Sequence, residues 1–168
     1  IYHAGLVLLG VLLAFYLGEG HVSFEFFHIM SIGVLLIAVE CAWLASVIVN
    51  DLNDTVIDQI TNPNRPLIEN TIPLDLYRIF GIILFIVSLL FAGIVSFSAF
   101  LILLSYQALA WMYSAPPLRL KKYPGVATFL AALCGILILI AGFVTTAPTH
   151  TVATLPSSIL WYLFLAYF

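Results

Sequence analysis

HIMSIGVLLIAVECAWLASVIV, residues 28–49, is a 22-residue apolar stretch with a single charged residue, Glu40. At 1.5 Å per residue a helix of this length crosses the roughly 30 Å hydrocarbon core of a bilayer. Its apolar residues run continuously rather than alternating, so a barrel strand does not fit. Working outward, the stretch opens directly into the most polar part of the chain, 50–75, and five further apolar segments follow the same pattern: about 1–17, 76–95, 99–114, 125–144, and one starting near Ser158. They are separated by a polar break at Gly18–His21, a short joint at Ser96-Phe97-Ser98, a loop over Ala115–Pro124 and a Thr/Pro/His loop over Thr145–Ser157. The expected fold is all-α, a polytopic transmembrane bundle of about six helices forming one domain over 1–168. The chain starts at Ile1 and stops at Phe168, both in apolar runs, so the expectation is an incomplete domain cut at both ends.

Composition supports this class. Hydrophobic residues make up 64% of the 168 residues, charged residues 8%, and mean hydropathy is +1.19. A soluble domain carries about 25% charged residues. A soluble enzyme, a disordered chain and a nucleic-acid binder are excluded, and the bilayer is the expected surrounding. Cys41 and Cys134 sit in apolar runs and read as small buried hydrophobes, with no metal-ligand spacing. The five basic residues, Arg65, Arg78, Arg119, Lys121 and Lys122, fall in or beside the loops at about 50–75 and 113–124. The opposite side has Glu19, His21, Glu25 and His150 and no Lys or Arg. The positive-inside rule then predicts a multi-pass protein of the inner or plasma membrane with both loops cytoplasmic and facing each other.

The chemistry concentrates in Asn50-Asp51-Leu52-Asn53-Asp54-Thr55-Val56-Ile57-Asp58. Steps of three, four and seven residues place Asp51, Asp54 and Asp58 within roughly 60° of one another on a helix, with Asn50 beside them. Like charges at this spacing repel, and the end of a long helix disfavours anions. A compensating positive charge is required. Mg²⁺ coordinated by oxygen donors and bridging to phosphate satisfies it, and so does a nearby arginine, while a solvated acidic face relieves the strain. Arg65, fixed in Asn64-Arg65-Pro66, is held in a rigid turn suited to bidentate phosphate contact, or serves topology alone. Glu40 lies on nearly the same stripe, about 16 Å deeper; it lines a polar cavity below the site or is protonated and bonded to a serine or carbonyl. Ser105 and Gln107 are expected as helix–helix glue.

Asn50-Asp51-x-x-Asp54-x-x-x-Asp58 followed by Asn64-Arg65-Pro66 resembles the first aspartate-rich motif of the UbiA superfamily of intramembrane prenyltransferases. Tyr113-Ser114-Ala115-Pro116-Pro117-Leu118-Arg119-Leu120-Lys121-Lys122 looks like that family's Tyr…Lys loop after helix four. The resemblance implies a larger, nine-helix prenyltransferase fold and Mg²⁺-dependent transfer of a prenyl group from a polyprenyl diphosphate to an aromatic, quinone-precursor or lipid-precursor acceptor. It implies Asn50, Asp51, Asp54 and Asp58 as metal ligands, and Asn50, Arg65, Arg119, Lys121 and Lys122 at the diphosphate. Asp51, Asp54, Asp58 and Tyr113 are the implied catalytic residues; Tyr113 bonds phosphate, faces the allylic cation, or anchors at the interface. Two departures stand out. Pro117 occupies the position four after Tyr113, and the bases come later. No Asp or Glu follows Asp75, whereas the family has a second acidic motif after helix six; this is attributed to truncation and predicts that the fragment alone does not turn over. A non-catalytic membrane protein or an ion-coupled transporter fragment are the alternatives.

Overall fold

The computed structural model describes residues 2–17, 26–146 and 157–165, so Glu19, His21, Glu25 and His150 lie outside the described residues. The described residues form six α-helices and no strand: α1 (Tyr2–Leu17), α2 (Phe26–Thr61), α3 (Leu74–Val95), α4 (Phe97–Ser114), α5 (Pro124–Thr146) and α6 (Ser157–Leu165), with a 3₁₀ turn at Leu120–Lys122 before α5. Four of them, α2 to α5, are long and apolar enough to cross a membrane; α1, with 16 residues, is shorter.

The 36 residues of α2 measure about 54 Å, well beyond one hydrocarbon thickness. The apolar segment ends near Val49, but the helix continues unbroken to Thr61. No Gly or Pro occurs between Gly33 and Pro63, so nothing interrupts it. It stops where Asn62, biased away from helix by Pro63, closes the last turn through its N–H to the Asp58 carbonyl at 2.8 Å. The polar motif is thereby carried on a rigid rod beyond the apolar bundle.

The joint between α3 and α4 is one residue, shorter than the three expected. Ser96 is extended (φ −169°, ψ 158°), and its Oγ accepts the Ala99 N–H at 3.0 Å, so Phe97 and Ser98 already belong to α4. This tight hairpin returns α4 along α3, where it also contacts α2. Along α3 only Gly81, Leu84, Ser88 and Ala92 are buried, a narrow stripe at helical spacing, while Ile82, Leu90 and Ile94 are exposed where lipid would lie. Gln107 of α4 donates to the Ser88 hydroxyl at 3.0 Å and so joins two helices as expected. Ser105 does not: its hydroxyl returns to the Leu101 carbonyl of its own helix at 2.8 Å.

The core is built from Val7 of α1, Leu35 and Val39 of α2, Leu103 and Tyr106 of α4, and Ile138 of α5. The closest helix crossing joins α1 to α5, and two glycines permit it. A Cβ on Gly10 would lie 2.0 Å from the Leu139 carbonyl oxygen, and one on Gly142 would lie 2.2 Å from that of Val7. Backbone cannot retreat from such contacts as a side chain can. Gly10→Ala is expected to destabilise the protein by about 2 kcal/mol or more, read as thermal unfolding in detergent. The matched control is Gly5→Ala, where a Cβ meets nothing within 4 Å and helix propensity improves. Equal melting of the two variants would remove the tight crossing.

Candidate functional site

The projecting end of α2 is met from two sides. The 62–73 loop follows it directly and brings Arg65. The loop after α4 brings Arg119 and Lys121. The two loops therefore converge on one helix end, as the paired polar loops predict.

The first loop is compact. Arg65 N–H bonds the Asn62 carbonyl at 3.1 Å, Ile68 N–H bonds the Arg65 carbonyl at 2.9 Å, and Thr71 bonds the Pro66 carbonyl through both its N–H and its hydroxyl at 3.0 Å. This fold-back turns the Arg65 guanidinium onto α2. There it donates to Asp51 Oδ1 and lies 2.9 Å from Asp58 Oδ2, an ion pair without hydrogen-bond alignment. The other oxygen of each acid has a neutral donor: Tyr77 OH to Asp51 Oδ2 at 2.8 Å, and Asn62 Nδ2 to Asp58 Oδ1 at 3.1 Å. Asp51 and Asp58 are 7% and 4% exposed, so these contacts replace water almost entirely.

The second loop forms a separate cluster. Arg119 has a left-handed backbone (φ 41°, ψ 56°), a costly conformation for a residue with a Cβ. It is held there by its N–H to the Ala115 carbonyl at 2.9 Å and by its side chain, which reaches Asp54 Oδ1 at 2.8 Å and the Asn53 carbonyl at 3.2 Å. Lys121 Nζ donates to Asp54 Oδ2 and to Asn50 Oδ1, the latter at 2.7 Å. Ser114 donates to the same Asn50 oxygen at 3.0 Å.

The acidic stripe is thus divided. Asp51 and Asp58 share one cation, while Asn50 and Asp54 share another. Among the described residues no group of three His, Cys, Asp or Glu side chains converges as a metal cage. The angular offset of Asp54 from Asp51 explains this, since each side of the stripe faces a different loop. The donor set nevertheless fits Mg²⁺ in its chemistry: the oxygens are hard, and the Lys121 ammonium already bridges Asn50 to Asp54 at a single positive point.

Beside these clusters opens a cavity of about 280 Å³ between α2, α4 and α5. Asn50, Asp51 and Arg65 form its polar head, Tyr106 and Tyr113 are on its wall, and Leu130 and Cys134 are among its apolar lining. Glu40 is half-buried and does not line it, so the expected polar pocket beneath the motif is not built around Glu40. Lys122 is not brought in either; it is exposed, with its ammonium 5.0 Å from the Tyr123 ring centre. Arg78 pairs instead with Asp75, at 3.7 Å on the exposed start of α3. Tyr77, Asn62 and Ser114 are hydrogen-bond partners of the acidic motif that spacing does not single out. A tyrosine one turn into an apolar helix carries no signal of its own until the helix is docked.

The pattern of the UbiA prenyltransferase family matches residues 6–168. A digeranylgeranylglyceryl phosphate synthase of Thermococcus sibiricus is 34% identical over 103 residues, which are 61% of this chain and 35% of that protein. The same-named protein of Sulfurisphaera tokodaii is 32% identical over 120 residues, 70% of this chain and 42% of the relative. A solved structure of digeranylgeranylglyceryl phosphate synthase in membranes superposes with a TM-score of 0.76 at 20% identity, covering 99% of this chain and 53% of that one. A UbiA homologue from Archaeoglobus fulgidus bound to DMAPP and Mg²⁺ superposes with a TM-score of 0.72 at 22% identity, covering 96% and 56%. The matched stretch thus spans less than half the length of the curated relatives and about half that of the solved structures. With the family pattern running over nearly the whole chain and the helices in the family's arrangement, this integral membrane protein belongs to the UbiA prenyltransferase family.

Proposed function

We propose that this chain is the diphosphate-handling part of a membrane enzyme that uses Mg²⁺ to transfer a prenyl group from a polyprenyl diphosphate to a glyceryl phosphate lipid. The observation that carries the reading is an apolar-walled cavity headed by Asp51 and Arg65 of one acid–base cluster and by Asn50 of the other. The acceptor class is taken from the relatives, whose name describes a glyceryl phosphate carrying two geranylgeranyl groups. The basic loops are assigned to the cytoplasmic side.

In this reading Asn50 and Asp54 would hold the metal, with Asp51 and Asp58 on the same stripe of α2. When bound, Mg²⁺ supplies the divalent charge that makes diphosphate a competent leaving group. Arg65, Arg119 and Lys121 bind the phosphate oxygens as the allylic C–O bond breaks and negative charge collects on them. Tyr113, on the cavity wall near Asn50 and Arg65, offers a π-face to the allylic carbon as it becomes positive. Val47, Leu130 and Cys134 keep water from that carbon, so the acceptor hydroxyl forms the new C–O bond and its proton passes to the departing diphosphate.

The test uses the full-length protein in membranes with labelled geranylgeranyl diphosphate and a panel of glyceryl phosphate and aromatic acceptors. Label is expected to enter the glyceryl phosphate lipid, to fall at least about a hundredfold in chelator, and to return with Mg²⁺. Undiminished transfer in chelator overturns the metal requirement. Label entering only aromatic acceptors overturns the acceptor class.

A further inference from the structure

Tyr77 belongs to neither of the two motif loops, yet its hydroxyl reaches into the polar site. Its ring is half-buried and packs against the apolar cluster of Ala45, Ile48 and Leu84, which joins α2 to α3. That packing orients the ring and directs its hydroxyl toward α2. The hydroxyl lies 2.8 Å from Asp51 Oδ2. The opposite oxygen of the same carboxylate receives the Arg65 guanidinium. A continuous line of contacts thus runs from the α2–α3 apolar seam through Tyr77 and Asp51 to Arg65, and Arg65 lines the cavity head. Asp58, itself held by Asn62, flanks the guanidinium from the next two turns of α2.

We propose that Tyr77 is a positioning residue. Through Asp51, and with Asp58 on the other side, it fixes the Arg65 guanidinium at the cavity head, where that cation meets the diphosphate. The inference rests on the diphosphate reading above. Without the Tyr77 hydroxyl, Asp51 can rotate about its side-chain torsions and Arg65 follows it. With the hydroxyl in place the cation is pre-organised, so binding diphosphate does not have to order it.

The experiment is Tyr77→Phe in the full-length protein, which removes one oxygen and keeps the ring. KM for the prenyl diphosphate is expected to rise about tenfold, the scale of one lost hydrogen bond to a charged group, with kcat within about twofold. The dissociation constant for inorganic pyrophosphate, measured by calorimetry without acceptor, should rise by the same factor. Mn²⁺ affinity should stay at the parental value and the melting temperature should fall by only a few degrees, the scale of one buried hydrogen bond, which a general packing defect would exceed. Asp58→Asn serves as the second variant, and it too should weaken pyrophosphate while keeping the fold. Unchanged pyrophosphate affinity in both variants overturns the proposal, as does a uniform fall in kcat, metal affinity and melting temperature. Parental protein that binds pyrophosphate, and loses it in Tyr77→Phe, but transfers no prenyl group to any acceptor overturns the functional reading and leaves the positioning role standing.

Discussion

Asp54→Asn is expected to lower prenyl transfer by about a thousandfold, equivalent to roughly 4 kcal/mol of transition-state stabilisation. Asp54 is where the second loop is tied to α2: its two oxygens receive Arg119 and Lys121, and Lys121 also spans to Asn50. Replacing the carboxylate with an amide keeps the shape and removes the anion, so two cations lose their counter-charge and the oxygen pair that Lys121 bridges loses its charged member. An amide nitrogen facing an ammonium is repulsive, so the loop carrying Arg119 and Lys121 is held less firmly to α2. Initial rates at saturating donor and Mg²⁺ measure the loss, with circular dichroism to show the helices intact. Asp75→Asn is the control, because Asp75 is exposed and pairs with the exposed Arg78 at 3.7 Å. More than a tenth of parental activity in Asp54→Asn would remove Asp54 from the site.

The helices were legible because each is a long apolar run, and a bilayer admits little else in its core. Boundaries failed where a polar sequence stays helical. Residues 50–61 lack every helix-breaking signal, but their polarity ends an apolar count at Val49. The α3–α4 joint failed for a different reason: only the Ser96 cap shows that Phe97 is already helical. At the site, spacing identified which side chains share a stripe but not which loop each would face. The 60° between Asp51 and Asp54 is small on a helical wheel, yet it is enough to send one to Arg65 and the other to Lys121. Tyr77 was invisible because its role depends on α3 docking against α2 through Ile48 and Leu84, a contact between residues far apart in sequence. Lys122 and Lys121 are adjacent and chemically alike, and only the 3₁₀ turn at Leu120–Lys122 separates them, one toward Asn50 and the other over Tyr123.

The same division of the stripe gives Arg65 a structural load beside its proposed role at the diphosphate, and the two can be separated. Asp51 and Asp58 are almost fully buried, and Arg65 is the cation both of them contact among the described residues. Arg65→Ala leaves two carboxylates out of water with one neutral donor each, Tyr77 and Asn62. Removing one partner of a buried pair costs far more than the pair contributes, on the order of 3 kcal/mol here, because the remaining charge keeps its desolvation penalty. Arg65→Ala is therefore expected to melt markedly lower in detergent as well as to lose transfer. Combining Arg65→Met with Asp51→Asn and Asp58→Asn removes both the cation and the charges it balances. That variant should recover most of the lost stability, since the amides find hydrogen bonds and Met fills the stem's volume, yet it should remain inactive because nothing replaces the guanidinium at the diphosphate. Thermal unfolding and pyrophosphate binding, measured on the same preparations, read the two effects independently. If Arg65→Ala melts like the parent, the clamp on α2 contributes nothing to the fold; if the triple variant binds pyrophosphate normally, Arg65 is a strut for two buried acids and the diphosphate is held by Arg119 and Lys121 alone.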